Sequence, residues 1–308
     1  MIISQQGEAC SPNEDIKALD LNGTKALRDR LLQIASTGGG EEALLAGAEM
    51  ELGADQEKLG KIEEARHALQ DFRDYILRFA GVFHPSLPSE EELKYSYNPE
   101  TKECEITRLD GQDIKLNLNL CFLKGELPLP PQLMVTQLYC AHNQLTALPV
   151  LPSSLTELSC SENKLTTLPE LPASLTDLNC WRNQLTALPE LPARLTELSC
   201  SGNQITTLPE LPASLTVIYC AYNDLTALPE LPASLTALYC DRNKLTTLPE
   251  LPAKLTELYC SENQLTALPE LPDSLNELDC RDNPSLARKR ATKRILKTFS
   301  DRGGVVVS

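Results

Sequence analysis

The chain has 308 residues, of which 42% are hydrophobic but only 5% aromatic, so aliphatic side chains must form most of its core. Its formal net charge of −15 disfavours general nucleic-acid binding, because most of the surface would repel phosphates. The sequence has no stretch of about 18 consecutive apolar residues, and its first residues lack the basic and apolar regions of a Sec-type signal peptide, so we expect neither a transmembrane helix nor such a signal.

Residues 24–84 have the spacing of amphipathic helices. Apolar side chains recur there at steps of three and four residues, with Glu and Arg between them: Leu59, Ile62, Leu69, Phe72, Ile76 and Phe79. The glycines at 38–40 divide this region into at least two helical parts. The pattern predicts an N-terminal helical domain over residues 1–103.

Two short segments of alternating apolar and polar residues lie between Cys104 and Leu118. They flank Asp110-Gly111, and an Asp-Gly pair favours the tight turn of a β-hairpin. We therefore predict a hairpin and N-terminal cap over residues 104–126, ahead of a repeat array.

Cysteine and asparagine recur with a period of 20 residues through the second half of the chain. The cysteines are Cys140, Cys160, Cys180, Cys200, Cys220, Cys240, Cys260 and Cys280, and the asparagines are Asn143, Asn163, Asn183, Asn203, Asn223, Asn243, Asn263 and Asn283. The unit reads L-x-x-L-x-C-x-x-N-x-L-x-x-L-P-x-L-P-x-x, for example from Leu155 to Ser174. This period predicts about eight leucine-rich repeats over residues 127–283.

Each position of the repeat has a structural role. The alternation around Leu158 and Cys160 is typical of a half-buried strand in which these two side chains point inward. Asn163 follows the strand, where its amide can hydrogen-bond to backbone groups at the turn, so stacked asparagines would form a buried ladder. Pro169 and Pro172 favour an extended return without a helix. The prediction is an α+β protein: a leucine-rich-repeat solenoid with a parallel β-sheet on its concave face and an extended, polyproline-II-like convex side.

Residues 284–308 contain seven basic side chains and one acidic side chain, a net charge of +6 against −21 for the rest of the chain. Apolar residues lie within this basic segment at helical spacing: Leu286, Ile295, Leu296 and Phe299. We predict a basic C-terminal helical cap over the last repeat. A weak contact with an anionic membrane or an import factor is an alternative role for the segment, whereas nucleic acid is disfavoured by the acidic remainder.

The segment LPELPASL at residues 168–175, with close copies through Leu275, resembles the repeats of the YopM and IpaH group of bacterial effectors. The resemblance covers about residues 127–283. It implies a curved solenoid that binds host proteins in the host cytoplasm after signal-peptide-independent secretion; the alternative location is the bacterial cytoplasm. IpaH members continue into a ubiquitin-ligase domain, for which we find no counterpart after residue 283, so we do not expect an enzyme.

The cysteine column has two interpretations. Sulfurs on successive turns would lie about 5 Å apart, which could suggest disulfides or a thiolate metal site. We favour packing, because each sulfur points into an apolar core and adjacent parallel strands offer poor disulfide geometry. Cys280-Arg281-Asp282 matches the Cys-x-Asp motif of the ligases only formally, since Cys280 occupies the same core position. We therefore expect no catalytic residue, no metal site and no cofactor.

Aromatic residues of the repeats are confined to outward positions of the strands and to the residues that follow them. With two neighbouring arginines they are the candidate binding residues of the concave face: Tyr139, Trp181, Arg182, Tyr219, Tyr222, Tyr239, Arg242 and Tyr259. Tyr219, Tyr239 and Tyr259 share one position on consecutive turns and are predicted to stack. Tyr, Trp and Arg are enriched at binding hot spots, although tyrosines also suit a β-sheet surface without any partner.

The sequence therefore predicts a protein–protein interaction module, in the simplest case a secreted bacterial effector that binds a host protein through its concave face. Acidic neighbours of the aromatic residues, such as Glu197 and Glu257, favour a partner with a basic surface. The alternatives are a relative of the ubiquitin ligases without the catalytic domain, and an extracellular adhesin. The adhesin is disfavoured because many unpaired thiols indicate a reducing compartment.

Overall fold

The computed structural model describes residues 41–80, 88, 92–98, 103–287 and 290–307. The chain divides into two compact units, one formed by Met1–His67 and Ser89–Gly111 and the other by Ala68–Pro88 and Gln112–Ser308. No helix in the described ranges is long and apolar enough to cross a membrane.

Helix α1 spans Glu41–Ala80. Its buried residues recur at three- and four-residue steps, as predicted: Ile62, Ala65, Leu69, Phe72 and Ile76. Leu59 does not belong to this buried face, because 45% of it is exposed. The predicted division at glycines 38–40 and the side chain of Phe79 lie outside the described residues.

A β-hairpin is present, but its strands differ from those predicted. Strand β1, Leu93–Asn98, pairs antiparallel with β2, Glu103–Arg108. Asp110-Gly111 does form a turn, with the Gly111 N–H donating to the Arg108 carbonyl at 3.2 Å, yet it does not close a hairpin. The next strand, β3 (Ile114–Asn117), instead pairs parallel with β5 (Val135–Tyr139), because Ile114 and Leu116 are buried in the solenoid core.

The solenoid contains a ten-stranded parallel sheet, to which each turn adds one short strand. The sheet begins with β3 and β5 and ends with β14 (Val305–Val306). The strands between them are β7 (Glu157–Ser159), β8 (Asp177–Asn179), β9 (Glu197–Ser199), β10 (Val217–Tyr219), β11 (Ala237–Tyr239), β12 (Glu257–Tyr259) and β13 (Glu277–Asp279). Residues 20 apart are in register, so Ile218 lies between Leu198 and Leu238. A second parallel pair joins β4 (Lys124–Glu126) to β6 (Gln144–Ala147).

The predicted asparagine ladder is confirmed. The Asn183 side-chain oxygen accepts the Leu165 backbone N–H at 3.0 Å, one turn earlier. Its nitrogen donates to the carbonyl oxygens of Cys160 at 3.0 Å and Cys180 at 3.1 Å. Each amide therefore joins backbone groups of two consecutive turns: it is the partner of one buried N–H and shares each carbonyl oxygen with a neighbouring asparagine. The leucines and cysteines that point inward form the core of the solenoid.

The return side of each turn is extended, as its prolines predict. One hydrogen bond closes the bend that leads back to the sheet, for example from the Leu175 N–H to the Pro172 carbonyl at 3.0 Å. Glu210, in the return segment between β9 and β10, is exposed to solvent.

The C-terminal cap consists of α2 (Pro284–Ala287), α3 (Arg290–Asp301) and β14 (Val305–Val306). Phe299 of α3 is buried, and the Arg302 guanidinium donates to the Asp273 carboxylate at 2.9 Å. Strand β14 then pairs parallel with β13, so the sheet extends one strand beyond each end of the predicted array at 127–283. The basic segment therefore caps the solenoid, and its additional contact with a membrane or an import factor stays a prediction.

Candidate functional site

Three tyrosines stack on consecutive turns of the sheet. The ring centroids of Tyr219 and Tyr239 are 4.6 Å apart, and those of Tyr239 and Tyr259 are 4.9 Å apart, with the ring planes within 18° of parallel. The parallel register places the three residues side by side, and the strand separation of about 4.8 Å matches the stacking distance of aromatic rings. All three are partly exposed, so this tyrosine column is a continuous aromatic surface that water can reach.

Hydrogen bonds hold the outer ends of the tyrosines. The hydroxyls of Tyr239 and Tyr259 donate to the carboxylates of Glu257 and Glu277, each 18 residues further along the chain. The hydrogen bond to Glu277 and partial burial raise the pKa of Tyr259 to about 12. Burial and the hydrogen bond to Glu257 likewise raise the pKa of Tyr239.

Tyr219 differs from its neighbours in the tyrosine column. The residue 18 positions further is Ala237, which has no side-chain acceptor. Partial burial raises the Tyr219 pKa, and the negative charges of Glu197 and Glu257 add to the effect.

Tyr139 lies on the same sheet face but does not join the tyrosine column. Four turns separate it from Tyr219, and the intervening positions hold the small residues Ser159, Asn179 and Ser199. Its hydroxyl donates to Glu157, and this hydrogen bond, together with burial, raises the Tyr139 pKa to about 12.

The other predicted site residues form two pairs where the chain leaves the strands. The Arg182 guanidinium lies 4.5 Å from the centre of the Trp181 ring, and the Arg242 guanidinium lies 4.5 Å from that of Tyr222. Arg242 also pairs with Glu262 at 2.6 Å. Both guanidinium groups therefore lie at cation–π distance from aromatic rings.

The residues immediately before the ladder asparagines, here called the exit column, have a backbone conformation that the sequence pattern did not predict. The residue before each ladder asparagine has a positive φ, between 50° and 68° in every turn of the array: His142, Glu162, Arg182, Gly202, Tyr222, Arg242, Glu262 and Asp282. A left-handed conformation costs a side chain about 1 kcal/mol or more, so glycine would be the expected residue. Gly202 is the one residue of the column whose type could have indicated this conformation from the sequence. The other seven turns place a side chain there despite the strain.

The cysteine column has the properties of a packed core. The ladder cysteines are unpaired thiols, and all except the partly buried Cys280 are fully buried. Burial raises the pKa of Cys160 and Cys200 to about 12. Burial, followed by the charge of Asp279, also raises the pKa of Cys280, which is the opposite of what a nucleophilic thiol requires. In the described part of the chain no group of three or more His, Cys, Asp or Glu could hold a metal ion.

The family model described as Leucine Rich Repeat matches residues 194–215. The matched segment is one turn of the parallel sheet, and the neighbouring turns repeat its pattern at the same spacing. The fold is that of a leucine-rich-repeat protein. No curated protein sequence matches the chain.

Several solved structures are similar to this leucine-rich-repeat protein. YopM from Yersinia enterocolitica WA-314 is 34% identical over 56% of this chain and 45% of its own, with a TM-score of 0.46. YopM from Yersinia pestis is 37% identical over 55% of each chain, with a TM-score of 0.49. The LRR domain of a Shigella effector is 29% identical over 63% of this chain and 78% of its own, with a TM-score of 0.46. The similarity thus spans about half the length of the two YopM chains.

Proposed function

We propose that this leucine-rich-repeat protein is a protein-binding module rather than an enzyme, and that its partner docks on the sheet face around the tyrosine column. The observation that carries the proposal is the stack of Tyr219, Tyr239 and Tyr259 on a surface open to solvent. Stacked rings offer a large, rigid, amphipathic area whose conformational entropy is already low, so little is lost on binding.

The residues around the tyrosine column support the same site. Trp181 and Tyr222, each with an arginine on its ring, present the residue types that dominate the energetics of protein interfaces. Tyr222 is 52% exposed, so most of its ring edge is open to a partner. Tyr139 lies four turns away from Tyr219, so only an extended partner would contact both residues.

We further propose that the chain is a bacterial effector whose partner is a host protein in the host cytoplasm. Two features support it: the LPELP repeat unit, which resembles that of bacterial effectors, and the unpaired ladder thiols, which suit a reducing compartment.

A pull-down from host-cell lysate tests this function. The protein is compared with the double variant Tyr219→Ala/Tyr239→Ala and with the control Glu210→Ala/Glu230→Ala, which changes two exposed residues of the return side. We expect the tyrosine variant to lose a partner that the wild type and the control both retain. Circular dichroism confirms that all three proteins are folded. Equal capture by the folded tyrosine variant would reject the sheet face as the docking surface.

A further inference from the structure

Most carboxylates on the strands of this sheet face are engaged within the protein. Glu257 and Glu277 each accept a tyrosine hydroxyl. Glu157 accepts the Tyr139 hydroxyl and also the Gln137 amide at 2.7 Å, and Asp177 accepts the Thr176 hydroxyl at 2.7 Å.

Glu197 is the exception among these carboxylates. Its side chain is exposed, and within the part of the chain that the structure describes it has no hydrogen-bond donor and no ion pair. Arg182, the exposed cation of the preceding turn, lies over the Trp181 ring and 3.8 Å from Glu162. The protein therefore leaves the Glu197 carboxylate without a partner of its own.

Tyr219 lies next to Glu197 and is also incompletely engaged. One face of its ring stacks on Tyr239, whereas its neighbour on the other side is Ser199, which is too small to cover a ring. Glu197 is in register with Val217, two residues before Tyr219 on the same side of the sheet. An open aromatic face and an unpaired carboxylate are thus adjacent, and the effect of the Glu197 charge on the Tyr219 pKa agrees with this proximity.

A partner that docks on the tyrosine column removes water from Glu197. A buried carboxylate without a counter-charge is strongly unfavourable, so the partner must supply a positive donor at this point. A cation there also gains from the open ring face, because the faces of aromatic rings attract positive charge. The net charge of −21 outside the C-terminal segment adds long-range attraction for a basic partner.

Building on the proposed function, we propose that the partner is a basic protein segment that inserts a Lys or Arg side chain at Glu197, with its cation against the open face of Tyr219. Its aliphatic stem would lie along Val217 and Ala237, the two apolar positions that interrupt the acidic residues of this face. Glu197 and Tyr219 thereby select the charge of the partner, while the stacked tyrosines supply contact area.

Fluorescence anisotropy at low ionic strength tests the inference on the full chain. The probes are a labelled short peptide of alternating lysine and alanine, and the matching peptides with glutamate or glutamine in place of lysine. The proteins are the wild type, Glu197→Gln, and the control Glu210→Gln, which removes the same charge from the return side. We expect the lysine peptide alone to bind. Its affinity should fall about tenfold in Glu197→Gln and less than about twofold in Glu210→Gln.

Equal effects of the two glutamine variants, or no binding of the lysine peptide to the wild type, would overturn the basic site. Tyr219→Ala gives a second measure, because it should weaken lysine-peptide binding without changing any charge. The proposed function has a separate outcome. If the tyrosine variant loses its lysate partner while Glu197→Gln binds peptide and partner like Glu210→Gln, the function stands and only the basic site is rejected.

Discussion

The side-chain oxygen of Asn203 accepts a hydrogen bond from the backbone N–H of Leu185, one turn earlier, at 3.0 Å. The amide nitrogen of Asn203 donates at the same time to the carbonyl oxygens of Cys180 and Cys200. No other side chain of this size provides an acceptor and two donors from one planar group. The ladder position therefore favours asparagine.

Replacement of this residue should destabilise the solenoid. In Asn203→Ala the buried Leu185 N–H loses its partner, and the carbonyl oxygens of Cys180 and Cys200 each keep only one of two amide donors. Together these losses should cost roughly 2 kcal/mol. Asn203→Asp should be at least as harmful, because a carboxylate would face carbonyl oxygens. Urea-induced unfolding measures both, with the exposed neighbour Gln204→Ala expected to lie within about 0.5 kcal/mol of the wild type. A ladder variant as stable as Gln204→Ala would contradict this account.

Alkylation should distinguish the interior of the cysteine column from its end. Cys200 is fully buried with a pKa raised to about 12, whereas Cys280 is partly exposed. Because the thiolate is the reactive form, iodoacetamide at neutral pH should label Cys280 before Cys200 in the folded protein. Mass spectrometry of the peptides reports the order. In urea the two rates should become similar, and equal rates in the native protein would show that the column opens as a whole.

The hydroxyl of Tyr139 should titrate abnormally. Its pKa is raised from 10.0 to about 12, first by the hydrogen bond to Glu157. In Glu157→Gln the carboxylate charge is gone, so the pKa should move back towards 10. NMR titration of tyrosine-labelled protein follows each ring, with Tyr259 as an internal reference because its own acceptor, Glu277, is unchanged. An unchanged Tyr139 pKa in Glu157→Gln would show that Glu157 does not cause the shift.

The same shift predicts how stability depends on pH. Tyr139 is protonated in the folded state up to about pH 12, whereas an unfolded chain loses this proton near 10.0. The stabilising contribution is therefore complete below pH 10 and is lost as the pH rises towards 12. Thermal unfolding across this range should show a smaller decrease for Glu157→Gln than for the wild type.

The C-terminal cap depends on a close approach between Gly304 and the Phe299 ring. A Cβ atom at residue 304 would overlap that ring, so Gly304→Ala should destabilise the protein by roughly 1–3 kcal/mol. In a Phe299→Ala background, where the ring is absent, the added methyl group should have little further effect. A double-mutant cycle by urea unfolding measures the coupling, and exposed Ser300→Ala is the neutral control. Additive effects would show that the overlap is relieved elsewhere.

The hairpin shows that sequence patterns predicted the strands but not their pairing. Both segments around Asp110-Gly111 are strands, as predicted, and the turn between them exists. Their partners are different, because β2 has a six-residue antiparallel match with β1, while Ile114 and Leu116 of β3 enter the solenoid core. Whether a segment forms a strand depends on its local sequence. Which strand it pairs with depends on which of all the available strands gives the most favourable contacts.

The sequence by itself determined the turn of this solenoid. A period of 20 residues brings each leucine, cysteine and asparagine back to one place, and their alternation along a short strand decides which of them are buried. The same register made the stack of Tyr219, Tyr239 and Tyr259 predictable. Only the tertiary structure decided the strand partners, the left-handed exit column, the strand that β14 adds, and which carboxylates accept tyrosine hydroxyls. These features depend on distances between chain segments brought together by folding, which no local spacing specifies.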